Sequence, residues 1–283
     1  MTEELDFILD TMTWSYSRLS SFYQCKYAWY LTYIDCVKGE NGFFGEYGSF
    51  IHKILEKYSK GELSLFELND YYEQHFTEEV THDAPPNKYV DIKQSYYDKG
   101  LDYLNNIDLD FSKYEVLGVE KKVEFEIAGK PFVGYIDLLL KEKENGRIVI
   151  VDHKSASLKI LKNGNISKSD QEHFLGFQRQ LYLYSKAVRK EYGEVSKLMW
   201  NMFRDKKWIE IPWVEEEYNE AIQWAEDTIK LIENETEWCA NPDFYFCNYI
   251  CDHRNNACEF KPQPVKKDVV DYRHYNPETD SYE

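Results

Sequence analysis

Positive charge is scarce in this sequence. Its 283 residues include 34 Lys and Arg against 51 Asp and Glu, a formal net charge of −17 at pH 7. That balance excludes a basic, histone-like nucleic-acid binder, whose affinity comes from neutralising phosphates over its whole surface. Long apolar runs are also missing, none approaching the roughly 18 residues that a membrane-spanning helix needs. The acidic start, Met1 to Asp10, lacks a positive region followed by an apolar stretch, so no export signal is read and a soluble, cytoplasmic chain is expected. There is no G-x-x-x-x-G-K-[ST] phosphate loop, so ATP-driven unwinding would have to come from another protein. No internal repeat is visible.

Apolar material is plentiful, with 43% hydrophobic residues and 17% aromatic, including 24 Tyr and 7 Trp. This is enough for one large core or two modest ones, and it sets the chain apart from disordered acidic sequences. Of the six cysteines, Cys239, Cys247, Cys251 and Cys258 crowd into one short tract, with Cys25 and Cys36 near the other end. In a reducing compartment, clustering points to metal or cluster ligation more than to disulfides.

The hydrophobic period organises the chain. Leu19, Phe22, Tyr23, Tyr30, Tyr33 and Ile34 predict a helix over 17–34, capped by Ser15 or Ser17 and carrying Cys25. A second helix is predicted over 48–60, with Gly61 as its stop and His52 and Glu56 one turn apart. Two more are predicted within 64–105, divided by Ala84-Pro85-Pro86. The period then changes to two. Val123 to Ile127, Phe132 to Leu140 and Ile148 to Val151, joined by turns at Gly129 and Asn145-Gly146, predict an antiparallel meander. A helix over 171–191, a hairpin over 198–213 turning at 205–207 and a helix over 215–234 follow. The fold class is α/β, a mixed central sheet flanked by helices. The expected organisation is a single unit over 1–263, comprising a helical part at 14–105, a sheet core at 114–214 and a helix with the Cys segment at 215–263. A loose acidic tail, 264–283, is expected after it.

The meander ends in the most informative pattern: Gly134-Tyr135-Ile136-Asp137, a hairpin, then Ile148-Val149-Ile150-Val151-Asp152-His153-Lys154. Neighbouring antiparallel strands bring Asp137 near Asp152, and Lys154 projects from the same strand face as Asp152. Carboxylates at the ends of buried strands need compensation, and a hard divalent cation supplies it. Such an ion can lower the pKa of a bound water and offset charge developing on a phosphate. The spacing alone is equally compatible with a surface hairpin carrying one Asp–Lys pair.

These residues resemble the core of the PD-(D/E)XK nuclease superfamily, in which a carboxylate and an (Asp/Glu)-x-Lys triplet serve the catalytic metal. The resemblance extends to the RecB-type branch through Trp14-Ser15-Tyr16-Ser17-Arg18-Leu19-Ser20-Ser21-Phe22-Tyr23-Gln24-Cys25, through the Gly48-x-x-x-His52 helix and through Gln180-x-x-x-Tyr184. These elements come in the family's order over 14–260. The resemblance implies a restriction-endonuclease-like fold and Mg²⁺ or Mn²⁺ held by His52, Asp137, Asp152 and the main-chain carbonyl of His153. It further implies Lys154 as catalytic lysine, with Gln180 and Tyr184 facing the same cleft, one helical turn apart. Glu56 and Glu120 rank behind these as structural or supporting groups.

Cys247-x3-Cys251-x6-Cys258 together with Cys25 is similar to the branch of RecB-type nucleases that holds an iron–sulfur cluster, including AddB and CRISPR-associated nucleases. The resemblance implies a [4Fe–4S] cluster on these four thiolates, clasping the first helix to the last segment. Two departures stand out: Lys26 follows Cys25 where the family usually has Pro, and three residues separate Cys247 from Cys251 where two are usual. A zinc site from Cys239, Cys247, Cys251 and Cys258, or one using His253, therefore stays open. Cys36 and Cys239 are read as free thiols.

Lys154, Lys159, Lys162, Lys168 and Arg179 surround the proposed site in sequence, with Arg18, Lys26 and Lys53 on the N-terminal helices, and they could offset the acidic balance locally. The function expected is a metal-dependent exonuclease of single-stranded DNA or DNA ends, in phage or CRISPR-type recombination or end processing. A helicase or recombination factor is its expected partner, and a bacterial or phage-infected cell its expected setting. The alternative is a non-catalytic DNA-binding or assembly module that keeps the iron–sulfur clasp.

Overall fold

The structure is a computed structural model that describes residues 3–109, 111–162, 165–255, 258–262, 275–276 and 281–282. Its centre is a five-stranded sheet of β1 (Tyr114–Ile127), β2 (Lys130–Glu142), β3 (Ile148–Lys154), β4 (Val195–Met202) and β5 (Lys207–Pro212), in that spatial order. The first three strands are the predicted meander, β4 joins β3 in parallel, and β5 returns antiparallel. The parallel step requires a crossover, and α7 (Gln171–Tyr192) supplies it.

Central β3 is apolar on both faces because both are covered. Ile148 and Ile150 enter the larger core, while Val149 and Val151 enter a smaller one on the opposite face. Each such side chain contributes about 1.5–3 kcal/mol when fully buried. The larger core takes in α1 (Glu3–Thr11), α2 (Tyr16–Gln24), α3 (Lys26–Tyr33), α7 and α8 (Glu215–Glu233). Helices α4 (Phe43–Ser59), α5 (Leu68–Glu79) and α6 (Ile92–Asn105) form a separate aromatic cluster around Phe43, Tyr47, Phe50, Tyr72 and Phe76, which meets the sheet through Phe203.

Two helix expectations need correction. The predicted helix over 17–34 is broken at Cys25, whose backbone is extended. Cys25 ends α2 and caps α3, its Sγ accepting from the Ala28 N–H. The helix predicted from Gly48 begins at Phe43, since Phe43 and Tyr47 add another apolar turn to its buried face. Of the two cap candidates for α2, Ser15 is the one used, its Oγ accepting from Arg18 N–H at 3.2 Å. Trp14 is stitched to β2, donating to the Pro131 carbonyl and accepting from Val133 N–H. Most of the expected tail, 264–283, lies outside the described residues. Tyr275–Asn276 and Ser281–Tyr282 pair as a short antiparallel ladder. No helix among the described residues is long and apolar enough to cross a membrane.

Candidate active site

At the C-terminal end of β3, α7 approaches from one face of the sheet and α4 from the other. Asp152 and Lys154, two residues apart, share a strand face. Lys154 Nζ lies 2.8 Å from Asp152 Oδ2 and 3.0 Å from Oδ1, and donates to Gln180 Oε1 of α7 at 2.8 Å. Asp152 is only 3% exposed. Burial drives its carboxyl upward, the Lys154 ammonium opposes that rise, and the Asp137 charge adds to it. Although Lys154 is its ionic neighbour, the buried Oδ2 accepts no directed hydrogen bond.

The Asp137 position follows from strand register. Leu138 pairs with Val151, which sets Asp137 opposite Asp152. Asp137 Oδ2 accepts the main-chain N–H of His153 at 2.6 Å and lies 3.6 Å from His52 Nδ1. The His153 ring faces the other way, its Nδ1 3.1 Å from Asn201 Nδ2, and burial lowers its pKa to about 3, leaving the imidazole neutral.

Glu120 completes the cluster. It adopts φ +49° within β1, a left-handed conformation that costs a non-glycine residue about 1–3 kcal/mol. His52, Glu120 and Asp137 each offer one ligand atom within 4.8 Å of the others. Burial raises the Glu120 carboxyl, the Asp137 charge adds to the rise and His52 opposes it.

Tyr184, one turn beyond Gln180, lies over β2. Burial holds its hydroxyl well above the usual phenol range, opposed by a side-chain hydrogen bond with Gln180, while the Asp152 and Asp137 charges push it further. The ring fits because residue 134 is glycine: a Cβ there would stand 2.2 Å from Tyr184 Cε1. Tyr16 and Arg179 border this wall. Burial pushes the Tyr16 hydroxyl up to about 12 against the opposing Arg179 charge, and the Arg179 guanidinium lies 4.8 Å from the Trp224 ring centroid.

The structure thus brings together His52, Asp137, Asp152, Lys154, Gln180 and Tyr184. It gives Glu120 a larger place than sequence did: the trio with mutual reach is His52, Glu120 and Asp137, and Asp152 stands beside it on Lys154. Nothing in the charged run Glu120-Lys121-Lys122 marks the backbone twist that delivers this carboxylate. A buried, under-satisfied carboxylate oxygen beside a His–Glu–Asp trio is a donor set suited to a hard divalent cation. Two lysines expected nearby are neutralised elsewhere, Lys26 on Glu235 and Lys53 on Glu79.

Four thiols, Cys25, Cys247, Cys251 and Cys258, lie near one another at a second place. Cys247 and Cys251 are buried, Cys258 is half-buried, and Cys36 and Cys239 are exposed. Cys25 Sγ accepts from the Ala28 and Asn241 N–H groups, both at 3.5 Å. Burial pushes the Cys251 thiol up to about 11, opposed by the His253 main chain, with the nearby Cys258, Cys247 and Cys25 adding to the rise. Cys25, Cys251 and His253 line a cavity of about 260 Å³ between α2–α3 and the C-terminal segment. His253 Nε2 is 2.8 Å from Thr32 Oγ1, and its buried Nδ1 has no partner. Arg254 fastens the segment to the turn before α4 through the Glu40 and Asn41 carbonyls.

The family profile of the PD-(D/E)XK nuclease superfamily matches residues 13–261. The chain belongs to this superfamily. A crystal structure of a "Putative exonuclease" from Eubacterium rectale aligns at TM-score 0.50 with 15% identity, covering 94% of this chain and 96% of that one, and shows the same fold. SSO0001 aligns at TM-score 0.33 with 17% identity, covering 76% of this chain and 97% of that one, too distant to carry an argument. No curated protein matches the chain in sequence. Membership makes this a nuclease, with DNA as the substrate class and Mg²⁺ or Mn²⁺ as the ions of its superfamily's chemistry.

Proposed function

We propose that this nuclease is a divalent-metal-dependent exonuclease of single-stranded DNA or DNA ends, acting in the cytoplasm in phage or CRISPR-type recombination or end processing. One observation carries the reading: the Lys154 ammonium is held between Asp152 and Gln180, immediately beside the His52–Glu120–Asp137 trio. On this reading His52, Asp137, Asp152 and the His153 carbonyl hold Mg²⁺ or Mn²⁺, with Glu120 contributing. When bound, the ion supplies a lowered water pKa and charge neutralisation at the phosphate. Hydrolysis adds water across a P–O bond, the water oxygen joining phosphorus and the ester oxygen leaving with a proton. Lys154 stabilises the negative charge that builds on the phosphoryl oxygens. Gln180 fixes the Lys154 head, and Tyr184 presents a hydroxyl kept un-ionised by its surroundings.

We further take Cys25, Cys247, Cys251 and Cys258 as ligands of a [4Fe–4S] cluster, with Zn²⁺ as the less favoured occupant. Support comes from the closeness of Cys25, Cys247 and Cys258 to Cys251, each of which raises its thiol, and from the Ala28 and Asn241 N–H groups directed at Cys25 Sγ, hydrogen bonds of the kind that tune ligating sulfur. Unwinding is left to a helicase or recombination partner.

Asp152→Ala tests the catalytic reading. It should abolish Mg²⁺- or Mn²⁺-dependent cleavage while DNA binding is largely kept. Absence of cleavage by intact, metal-loaded wild type would instead favour a binding or assembly module. Iron and acid-labile sulfide in anaerobically purified protein, lost in Cys251→Ser and kept in Cys36→Ser, is the result expected for the cluster; stoichiometric zinc in colourless protein would contradict it.

A further inference from the structure

The cysteine segment carries more than thiols. Its π-helical turn Phe246–Ile250, capped by Tyr245, packs against the start of α4 and presents a row of rings. Tyr96 lies 5.6 Å from Phe44, Phe44 lies 6.3 Å from Tyr245, and Tyr245 lies 5.3 Å from Tyr249, which is 6.3 Å from Phe244. Phe244 is 42% exposed and Tyr245 45%, while Phe44, Tyr96 and Tyr249 are half-buried. At the inner end of the row, the Arg204 guanidinium sits 5.0 Å from the Tyr96 ring centroid and donates to the Tyr96 hydroxyl and to Ser157 Oγ. Among the described residues no carboxylate lies within ion-pairing distance of Arg204; Asp205 reaches it only through Ser157, whose hydroxyl donates to Asp205 Oδ1 at 2.6 Å.

The row is continuous with the candidate active site. Phe44, Gly48 and His52 are spaced by four along α4 and so form a slanting stripe on one side of it. Eight residues of helix put Phe44 about 12 Å from His52. Between them Gly48 has no side chain, and a Cβ there would meet Ser155 Oγ of the loop leaving Lys154 at 3.4 Å. The path from ring row to nuclease centre therefore runs along one side of α4 and one loop.

We propose that Phe44, Tyr96, Tyr245 and Tyr249, with Arg204, form a stacking platform for the unpaired bases of a DNA strand whose backbone continues to the Asp152–Lys154 centre. The exposed Tyr245 ring offers a stacking face to an unpaired base with the half-buried rings behind it, the Arg204 guanidinium, which has no carboxylate within ion-pairing distance, offers charge to a phosphate, and duplex bases, already stacked, have no free faces to give. The platform deepens the single-strand reading above and rests on it. It also gives the cysteine segment a role in substrate capture, since that segment carries Tyr245 and Tyr249.

The test is fluorescence anisotropy of a labelled thymidine oligonucleotide with the full-length protein in EDTA, where nothing is cut. Tyr245→Ala should weaken binding about 5-fold or more, as loss of one stacked base requires, while Tyr245→Phe stays within about twofold because the ring is kept. Phe66→Ala removes a ring that is 90% exposed and outside the row, and should leave binding unchanged. Failure of the wild type to bind the oligonucleotide, or equal binding by Tyr245→Ala, overturns the platform; so does an equal loss in Phe66→Ala, or sedimentation showing that the ring row joins two copies of the chain. Should Tyr245→Ala unfold, photocrosslinking of wild type with a bromodeoxyuridine oligonucleotide replaces it, with adducts in 43–49 or 244–250 supporting the platform and adducts confined elsewhere overturning it. Metal-dependent cleavage by wild type is scored separately: its loss with binding retained defeats the nuclease reading, and its presence with Tyr245→Ala binding normally defeats the platform.

Discussion

The carboxylate centre and the thiol centre are built in opposite ways. Asp137, Asp152 and Lys154 come from adjacent strands of one hairpin, so backbone register alone sets them side by side. The sheet there holds an unfavourable arrangement, with a desolvated Asp152, a repelling Asp137 and a strained Glu120. The thiols come from segments more than 200 residues apart, joined by packing: Trp29 stacks on Trp238 at 5.3 Å with the planes 8° apart, and Arg254 and Asp252 tie down the turn before α4. Where the scaffold is rigid, unfavourable electrostatics can be kept for chemistry; where segments merely meet, every contact contributes to holding them. Damage to the first centre should therefore remove function and spare stability, and damage to the second should cost stability.

Asp137→Asn makes the sharpest version of that contrast. Cleavage should fall about 10²–10³-fold, the scale of losing one preorganised electrostatic group. Thermal unfolding in the absence of added metal should stay level or rise, since repulsion with Asp152 and Glu120 is relieved; a large loss of stability would erase the distinction between the centres. Trp29→Ala attacks the other side. Trp29 is fully buried and its Nε1 donates to the Arg18 carbonyl at 2.7 Å. Its truncation should cost about 3–5 kcal/mol in urea unfolding and speed the reaction of the buried thiols with a disulfide reagent.

Gly134→Ala tests where the two properties meet. The added methyl drives the Tyr184 ring away from β2, so a cost of about 1–3 kcal/mol is expected from overpacking. Cleavage should fall as well, because Tyr184 shares its helix face with Gln180, which holds the Lys154 head. The smallest effect concerns Glu46, at the start of α4. Burial raises its carboxyl, but hydrogen bonds from the His82 main chain, the His82 ring and Thr81 together hold its pKa below the ordinary value. A depressed acid stabilises the fold above its unfolded pKa, and that contribution is lost as pH falls through the folded one. Glu46→Gln should thus lower stability by about 0.5–1 kcal/mol near neutral pH and less as the pH falls below 4, measured by urea titration across pH 3–7.

The meander, its turns and the Asp137–Asp152–Lys154 grouping were legible because period-two alternation and glycine turns act locally, and because two-residue spacing on a strand fixes a shared face; the parallel pairing of β4 with β3 was not. The helix with Gln180 and Tyr184 was legible for the same reason at period 3.6. Three further features were not. The break at Cys25 comes from a thiol acting as helix cap, where the apolar pattern runs straight through. The earlier start of α4 depends on Phe43 and Tyr47 finding an aromatic cluster made by distant helices. The arrival of Glu120 beside Asp137 depends on a positive φ that no side chain in the strand requires. Long-range assembly decided all three.

The most direct test of the central claim is cleavage of end-labelled single-stranded DNA by anaerobically purified protein, with Mn²⁺ or Mg²⁺ and with EDTA, alongside Lys154→Ala. The account predicts shortening from an end that requires the metal and disappears in the variant. Undiminished shortening by Lys154→Ala, or none by folded wild type with metal present, would contradict it.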